Sequence, residues 1–295
     1  MTFTHEIKAE VISDSISPDG VRLTTISTTY NRFAMPEIMM HREQSRSSAS
    51  SRAIPFETML ERAIQHPAPF VEYPAEQKGM QGGALLAGND LYDAEILFED
   101  IQAATVARLQ QYIEDHPDKA TRAHKSLLNR TLEWFSWTTT VLSATQWENY
   151  FRQRAHKDAQ PEFRELAYKV RDAIAASTPV PLQWYDWHLP FIGERDDDLT
   201  MLERVKVSTA RCARTSFLGH DGEFSHDSDL RMYDATLAIN GHWAPLEHPA
   251  VCIPSRTLPH YGNFRQPWHQ LRHMVEFDEG GTHAVENIIA RKASA

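Results

Sequence analysis

The sequence predicts a helix-rich α/β (α+β) protein, and three observations carry that expectation. Residues 21–30, Val-Arg-Leu-Thr-Thr-Ile-Ser-Thr-Thr-Tyr, follow a Pro-Asp-Gly turn and are rich in β-branched side chains, the composition of a strand. Elsewhere long stretches repeat apolar residues at helical spacing, most plainly from Ser126 to Arg154, which contains no glycine or proline. A chain of 295 residues with 41% hydrophobic content can also bury a substantial core.

Taken in order, the strand at 21–30 leads to an apolar run, Phe33 to Met40, with Pro36 placed to sit in the first turn of a helix. A polar knot follows, His41-Arg42-Glu43-Gln44-Ser45-Arg46-Ser47-Ser48-Ala49-Ser50-Ser51-Arg52. Residues 56–66 read as a short amphipathic helix stopped by Pro67, and 67–89 as a long glycine- and proline-rich loop. A helix is expected from about Leu91 to Asp115, a central core helix from Ser126 to Arg154, and another from Pro161 to about Ser177. Residues 178–200 read as an irregular linker or surface clamp ending in the acidic run Glu194 to Asp198. Residues 201–217 read as a helix or a strand–helix edge, Asp227 to Ile239 as a helix, 249–262 as loop and 263–277 as a last helix, with a frayed tail after Gly280.

Composition narrows the function. A net charge of −10 argues against a general nucleic-acid binder, because affinity for a phosphate backbone needs a basic face. No window is apolar enough for a membrane span, the start MTFTHEIKAE has no signal-peptide pattern, and two cysteines suit a reducing cytoplasm. The histidines are scattered, with no H-E-x-x-H or paired C-x-x-C, so no metal site is expected. Cys212 reads as a packed core thiol. The polar knot is the exception to the acidic balance. Its arginines and serines lie between core-forming segments, where guanidinium forks, hydroxyls and loop amides suit a phosphate. A solvated Ser/Arg linker is the alternative for that stretch taken alone. The segment Gly79-Met80-Gln81-Gly82-Gly83 offers a weaker phosphate cradle that fits no dinucleotide fingerprint.

The knot, read as His41-Arg42-x-x-Ser45-x-Ser47-x-x-Ser50-x-Arg52, resembles the signature R-H-R-x-x-S-x-N-x-x-S-x-R-Y of the flavin-dependent thymidylate synthases, the ThyX family. Met40, Ser47 and Ala53 stand where that signature has Arg, Asn and Tyr. Three further segments resemble the same family. They are the stretch carrying Trp137, Ala144, Thr145, Asn149, Tyr150, Arg154 and Ala159-Gln160; the Ala-Arg-x-Ser segment Cys212 to Phe217; and His242-Trp243-Ala244-Pro245-Leu246-Glu247-His248. The last two come first in most members and last here. That order looks like a circular permutation of the ThyX-like fold, as in members from bacterial viruses, with helices around a sheet. One catalytic unit across 1–295 is then expected, with an N-terminal region at 1–177, a connector at 178–200 and a C-terminal region at 201–295.

The resemblance implies reductive methylation of dUMP to dTMP, with FAD as cofactor and with methylenetetrahydrofolate and NADPH as co-substrates. It implies that Arg154 contacts the uracil ring and favours its N3-deprotonated form. Glu37, Ala49, Ser50, Ser51 and Arg52 would hold the nucleotide with it, Ala49 and Ser51 through backbone N–H groups. His41, Arg42, Ser47, Ser48, Ser143, Thr145, Asn149, His242 and Ala244 would hold FAD. A homotetramer follows from the same likeness, with sites at subunit interfaces. Arg46, or Arg265 and Arg272, would compensate for the arginine absent at Met40. The departures leave two alternatives open: hydroxymethylation of dUMP, or methylation or hydroxymethylation of dCMP; and a flavin- or nucleotide-binding homologue without catalysis.

Overall fold

The computed structural model describes residues 6–216, 225–238, 240–254, 262–276 and 282–294; Phe217 and residues 255–261 lie outside them. Strands β1 (Lys8–Ile16) and β2 (Arg22–Asn31) form an antiparallel hairpin. Its turn runs through Pro18-Asp19-Gly20, where Gly20 takes φ +80°, a conformation open to glycine without a Cβ clash. A short helix α1 (Met35–Ile38) with Pro36 in its first turn precedes strand β3 (Ser45–Ser48). Helices α2 (Phe56–Gln65), α3 (Asn89–Asp115) and α4 (Lys125–Thr131) follow, then strand β4 (Trp137–Ala144) and helices α5 (Glu148–Arg154) and α6 (Pro161–Ala176). A two-residue strand β5 (Val180–Pro181) runs parallel to β1 and completes a five-stranded sheet of order β3-β4-β2-β1-β5.

A second, three-stranded antiparallel sheet joins β6 (Trp187–His188), from the segment 178–200, to β7 (Ala250–Cys252) and β8 (Trp268–Gln270) of the C-terminal region. Helices α7 (Met201–Ala213), α8 (His226–Met232), α9 (Trp243–Leu246), α10 (Leu271–Glu276) and α11 (Thr282–Ala293) surround it. Thr200 caps α7 by accepting from the Glu203 amide while the Glu203 carboxylate accepts from the Thr200 amide, a capping box that sets the start of this helix. Among the described residues no helix is long and apolar enough to cross a membrane.

Packing follows these elements. Ile26, Tyr30 and Leu142 of the large sheet meet Trp147, Tyr150 and the α6 stripe Phe163, Leu166, Ala167 and Val170 in one core. Val205, Ala210, Leu246, Val251, Leu271, Val285 and Ile288 form a second core around the small sheet. Leu23 joins the two by packing with Ala250, Cys252, Phe264 and Trp268. Helices α2, α3 and α4 form a third cluster through Met59, Ala63, Leu109, Leu128 and Leu132.

The mixed α/β character, the strand at 21–30 and most helices match the expectation; several other elements do not. The single helix expected over 126–154 is a helix, a turn at Glu133–Phe135, a central strand and a second helix. Four consecutive β-branched residues, Thr138 to Val141, account for this. β4 hydrogen-bonds to β2 on one side and β3 on the other, which satisfies its backbone through pairing unavailable to a helix. The knot is not wholly irregular, since Ser45–Ser48 form the edge strand. Part of the expected loop 249–262 is β7, and the expected helix 263–277 is β8 followed by the shorter α10. The tail after 280 is helical, because Val285 and Ile288 find an apolar seat in the second core. β1 was not expected, although Ile7, Ala9 and Val11 alternate with polar residues and pack against the first core; the alternation is short and breaks at the bulge between Val11 and Ser13.

Residues 178–200 are not a free linker either. Asp196 is fully buried and accepts two bonds from Arg211, at 2.7 and 2.8 Å, one from the Gly193 amide and one from His226 at 2.9 Å. These donors hold its carboxyl well below the usual carboxylate range despite burial. Arg211 also donates to the Phe191 carbonyl and to Asp229, so one buried guanidinium ties this segment to α7 and α8.

Candidate functional site

Strand β3 is the axis of the site. It pairs with β4 as Ser45 to Ser143, Arg46 to Leu142, Ser47 to Val141 and Ser48 to Thr140. Strand alternation then splits its side chains. Ser45 and Ser47 are buried on one side, where Ser45 Oγ accepts from Gln270 Nε2 at 2.7 Å. Arg46 and Ser48 take the other. There Arg46 Nη1 donates to the His41 carbonyl and Ser48 Oγ lies 2.9 Å from Thr140 Oγ1. The chain leaving β3 is anchored from beneath. Arg32 donates to the Ala49 carbonyl at 2.9 Å, Asn129 Nδ2 donates to the carbonyls of Ser51 and Ile54, and Lys125 Nζ donates to that of Ala53.

The motif segments meet here. α9, inside the His242–His248 segment, packs against β3. The turn Arg214–Ser216 of the Ala-Arg-x-Ser segment packs against β3 and β4. The α5 segment arrives through Arg154, whose Nε donates to His41 Nε2 at 2.9 Å while its guanidinium lies 5.4 Å from the Phe163 ring centre. His41 is buried, its ring edge-on to Tyr150 at 5.0 Å. Burial, then the positive charges of Arg154 and Arg46, push its pKa down to about 4, so the ring is neutral at neutral pH.

The other residues singled out from the sequence divide into groups. Arg42, Ser50 and Arg52 are exposed around the knot. Ser47 is buried, and Ser51 is buried with its carbonyl bonded to Asn129. The Ala49 amide donates to the Thr139 carbonyl at 2.9 Å, so it serves the sheet rather than a phosphate. Glu37 is half-buried, and its Oε2 is enclosed with no hydrogen-bond partner. The Gln44 amide is likewise enclosed with neither atom bonded; no feature of its sequence position announced it.

Ser143 is committed inside the protein. Its hydroxyl lies 2.6 Å from Thr25 Oγ1 and 2.8 Å from His248 Nδ1, and Thr25 continues to His188 Nε2 at 2.8 Å. Burial pushes both histidines down to about 3, so this chain is a neutral polar seam between the sheets and presents no open cofactor contact at Ser143. Thr145 Oγ1 accepts from the Arg265 amide at 2.9 Å, and the Arg265 side chain bonds Gln146. Arg272 is ion-paired with Glu247, which leaves it a poor substitute for the arginine absent at Met40. Asn149 is exposed and accepts from Arg152 at 2.8 Å.

His242 and Ala244 are exposed beside a cavity of about 710 Å³ that Arg231, Thr236 and Trp243 also line. A second cavity, about 400 Å³, lies between the 67–89 loop and the start of α6. Its glycines are spent on local structure: the Gly83 amide donates to the Ala75 carbonyl, and a Cβ at Gly82 would meet Pro74 at 2.4 Å. That reduces the segment's capacity as a phosphate cradle. Cys212 is fully buried and its pKa is raised by burial, in keeping with the expected core thiol. Among the described residues no group of histidine, cysteine and carboxylate side chains is placed to hold a metal.

Fold and site together define a mixed α/β protein with a cationic, histidine-centred knot on a sheet edge. No protein-family profile matches the chain, and no curated protein matches it. Solved structures similar to it include a UMP/dUMP methylase from Streptomyces cacaoi bound with 5-Br dUMP. That likeness has 12% identity, covers 59% of this chain and 92% of that one, and gives a TM-score of 0.45. Another is a flavin-dependent thymidylate synthase from Helicobacter pylori complexed with FAD and dUMP, at 19% identity, 52% and 67% coverage, and a TM-score of 0.32. Both likenesses are shallow.

Proposed function

We propose that this chain is a flavin-dependent enzyme that methylates dUMP at C5, with methylenetetrahydrofolate as carbon donor and NADPH as reductant. The carrying observation is the convergence at β3 of four segments far apart in sequence, closed by the bond from Arg154 to His41. Arg154 lies beside an apolar ring wall, where a guanidinium stabilises a pyrimidine anion better than it would in water. Arg42 and Arg52, exposed on the same knot, supply charge for the nucleotide phosphate.

The residues present fit a bound flavin. An enclosed amide without partners lies at Gln44, and the cavity at His242 and Ala244 adjoins the helix packed on β3. FAD, when bound, supplies the redox chemistry that the buried, unactivated cysteines do not. His41, Arg42, Ser47 and Ser48 would hold it from the knot, Thr145 and Asn149 from beyond β4, and His242 and Ala244 from the cavity side. The motif order is a circular permutation in this reading. A homotetramer would let Asn149, exposed in one chain, complete a neighbour's site.

Incubation with FAD, NADPH and methylenetetrahydrofolate, separately with dUMP and dCMP, tests the proposal by product mass. A methyl group added to dUMP, and lost in Arg154→Ala, is the expected result; bound flavin with no product from either nucleotide would refute catalysis. The partnerless Glu37 Oε2 favours one second reading, since an acceptor-only oxygen suits the amino group of a cytosine base. Turnover confined to dCMP would select it.

A further inference from the structure

We propose that His41 is a positioning residue for Arg154: its neutral ring holds the guanidinium in place without cancelling the charge used on the nucleotide. This rests on the function proposed above. The Nε of an arginine can only donate, so the 2.9 Å bond to His41 Nε2 requires a bare Nε2 and puts the ring proton on Nδ1. The ring is itself held. Tyr150 meets it edge-on at 5.0 Å, and Arg46 donates to the carbonyl of the same residue.

The choice of acceptor matters. Arginine side chains are usually fixed by carboxylates, as Arg211 and Arg22 are here by Asp196 and Asp14. Such a partner neutralises the charge it fixes. A neutral imidazole fixes the side chain through one N–H and leaves the charge intact. Among the described residues the terminal Nη1 and Nη2 groups of Arg154 hydrogen-bond to nothing else in the chain, and the Phe163 face lies against the guanidinium. Four donors therefore remain in a fixed plane for an anionic ring. The groups facing His41 are Arg154 and Tyr150 from α5 and Arg46 from β3. Burial disfavours a protonated ring and the two guanidinium groups among them would repel it, which agrees with the low pKa of this histidine. His41 then acts through Arg154, and a flavin contact is not its main task.

The test compares dUMP affinity, by calorimetry on the flavin-loaded protein, for His41→Leu, His41→Gln, Arg154→Ala and the double variant His41→Leu/Arg154→Ala. His41→Leu should weaken binding about tenfold, the scale of a hydrogen bond to a charged group. His41→Gln, whose carbonyl can accept from Arg154, should stay within about threefold of the unmutated protein, again on the scale of one hydrogen bond. The double variant should bind no more weakly than Arg154→Ala alone, because a residue acting through another adds nothing once that one is gone. Additive losses, or Gln as damaging as Leu, would overturn the proposal. A ligand-free readout separates it from the function. With ¹⁵N-labelled histidine at neutral pH, the His41 Nε2 signal should be that of an unprotonated nitrogen and should shift in Arg154→Ala. An Nε2–H tautomer would overturn the proposal whatever the nucleotide result. If the unmutated protein binds neither dUMP nor dCMP, the proposed function falls, and the spectrum still decides the contact.

Discussion

Acid should unfold this protein through the buried seam that joins its two sheets. His188 and His248 are fully enclosed and bonded to Thr25 and Ser143, and burial lowers both from an ordinary 6.5 to about 3. The folded pKa lies below the unfolded one, so between these values the unfolded chain binds more protons and stability falls as pH falls. One unit below 6.5 each histidine costs about 1.4 kcal/mol, and the pair about 3 kcal/mol. Asp14 and Asp196, both lowered by their donors, stay ionised in folded and unfolded chains through this window and contribute no slope. His41, lowered to about 4, adds about 1.4 kcal/mol of its own, outside the seam. Against a domain stability of roughly 5–15 kcal/mol the loss is easily measured. Urea unfolding followed by tryptophan fluorescence, at pH values from about 7.5 to about 5.5, gives the slope directly. In His188→Gln/His248→Gln the slope should shrink by about the pair's 3 kcal/mol across that range, whatever the starting stability. An unchanged slope in that variant would refute the argument.

Two further outcomes follow from individual contacts. Arg211→Leu leaves Asp196 and Asp229, both fully buried, without their shared guanidinium, and should cost about 3–5 kcal/mol in a urea titration; a loss under about 1 kcal/mol would mean that His226 and Arg214 suffice. Gly262→Ala forces a side chain onto a φ of +99° and places its Cβ 2.1 Å from Gln270 Oε1. It should displace Gln270 from Ser45 and weaken nucleotide binding, whereas Gly20→Ala, with nothing within 4 Å, should lower stability alone. Equal effects of the two on binding would show that Gln270 does not support β3.

The helices at 56–66, 91–115 and 161–177 were legible because each combines a clear stop with an apolar stripe. The strand at 137–144 was not, since a run free of glycine and proline satisfies either period when both faces are buried. Val141, Leu142, Ser143 and Ala144 are all enclosed, so no alternation marks the strand. Only the threonine run hinted at β structure. Within the proposed site, the knot stood out by its local pattern and Arg154 by the family resemblance. The bond between them could not be read, because a contact across 113 residues depends on sheet register. The same holds for Ser143, where a flavin contact was expected and a bond to His248 was found. A hydroxyl looks alike in sequence whether it faces a ligand or a histidine in the interior.

The seam also bears on how the site is held. The two main cores lie on separate sheets, and much of what crosses between them near β3 is polar: Thr25 to His188, Ser143 to His248, Ser45 to Gln270 and Thr145 to Arg265. Apolar contacts tolerate sliding, whereas hydrogen bonds fix distance and angle, so a polar seam holds its two sides in one register. β3 lies on that seam, with His41 and Arg154 on one side and the His242–His248 segment on the other. The fold therefore needs no particular chain order to assemble the knot. It needs the two sheets to meet in one register, and four buried or half-buried hydroxyls, at positions 25, 45, 143 and 145, hold that register.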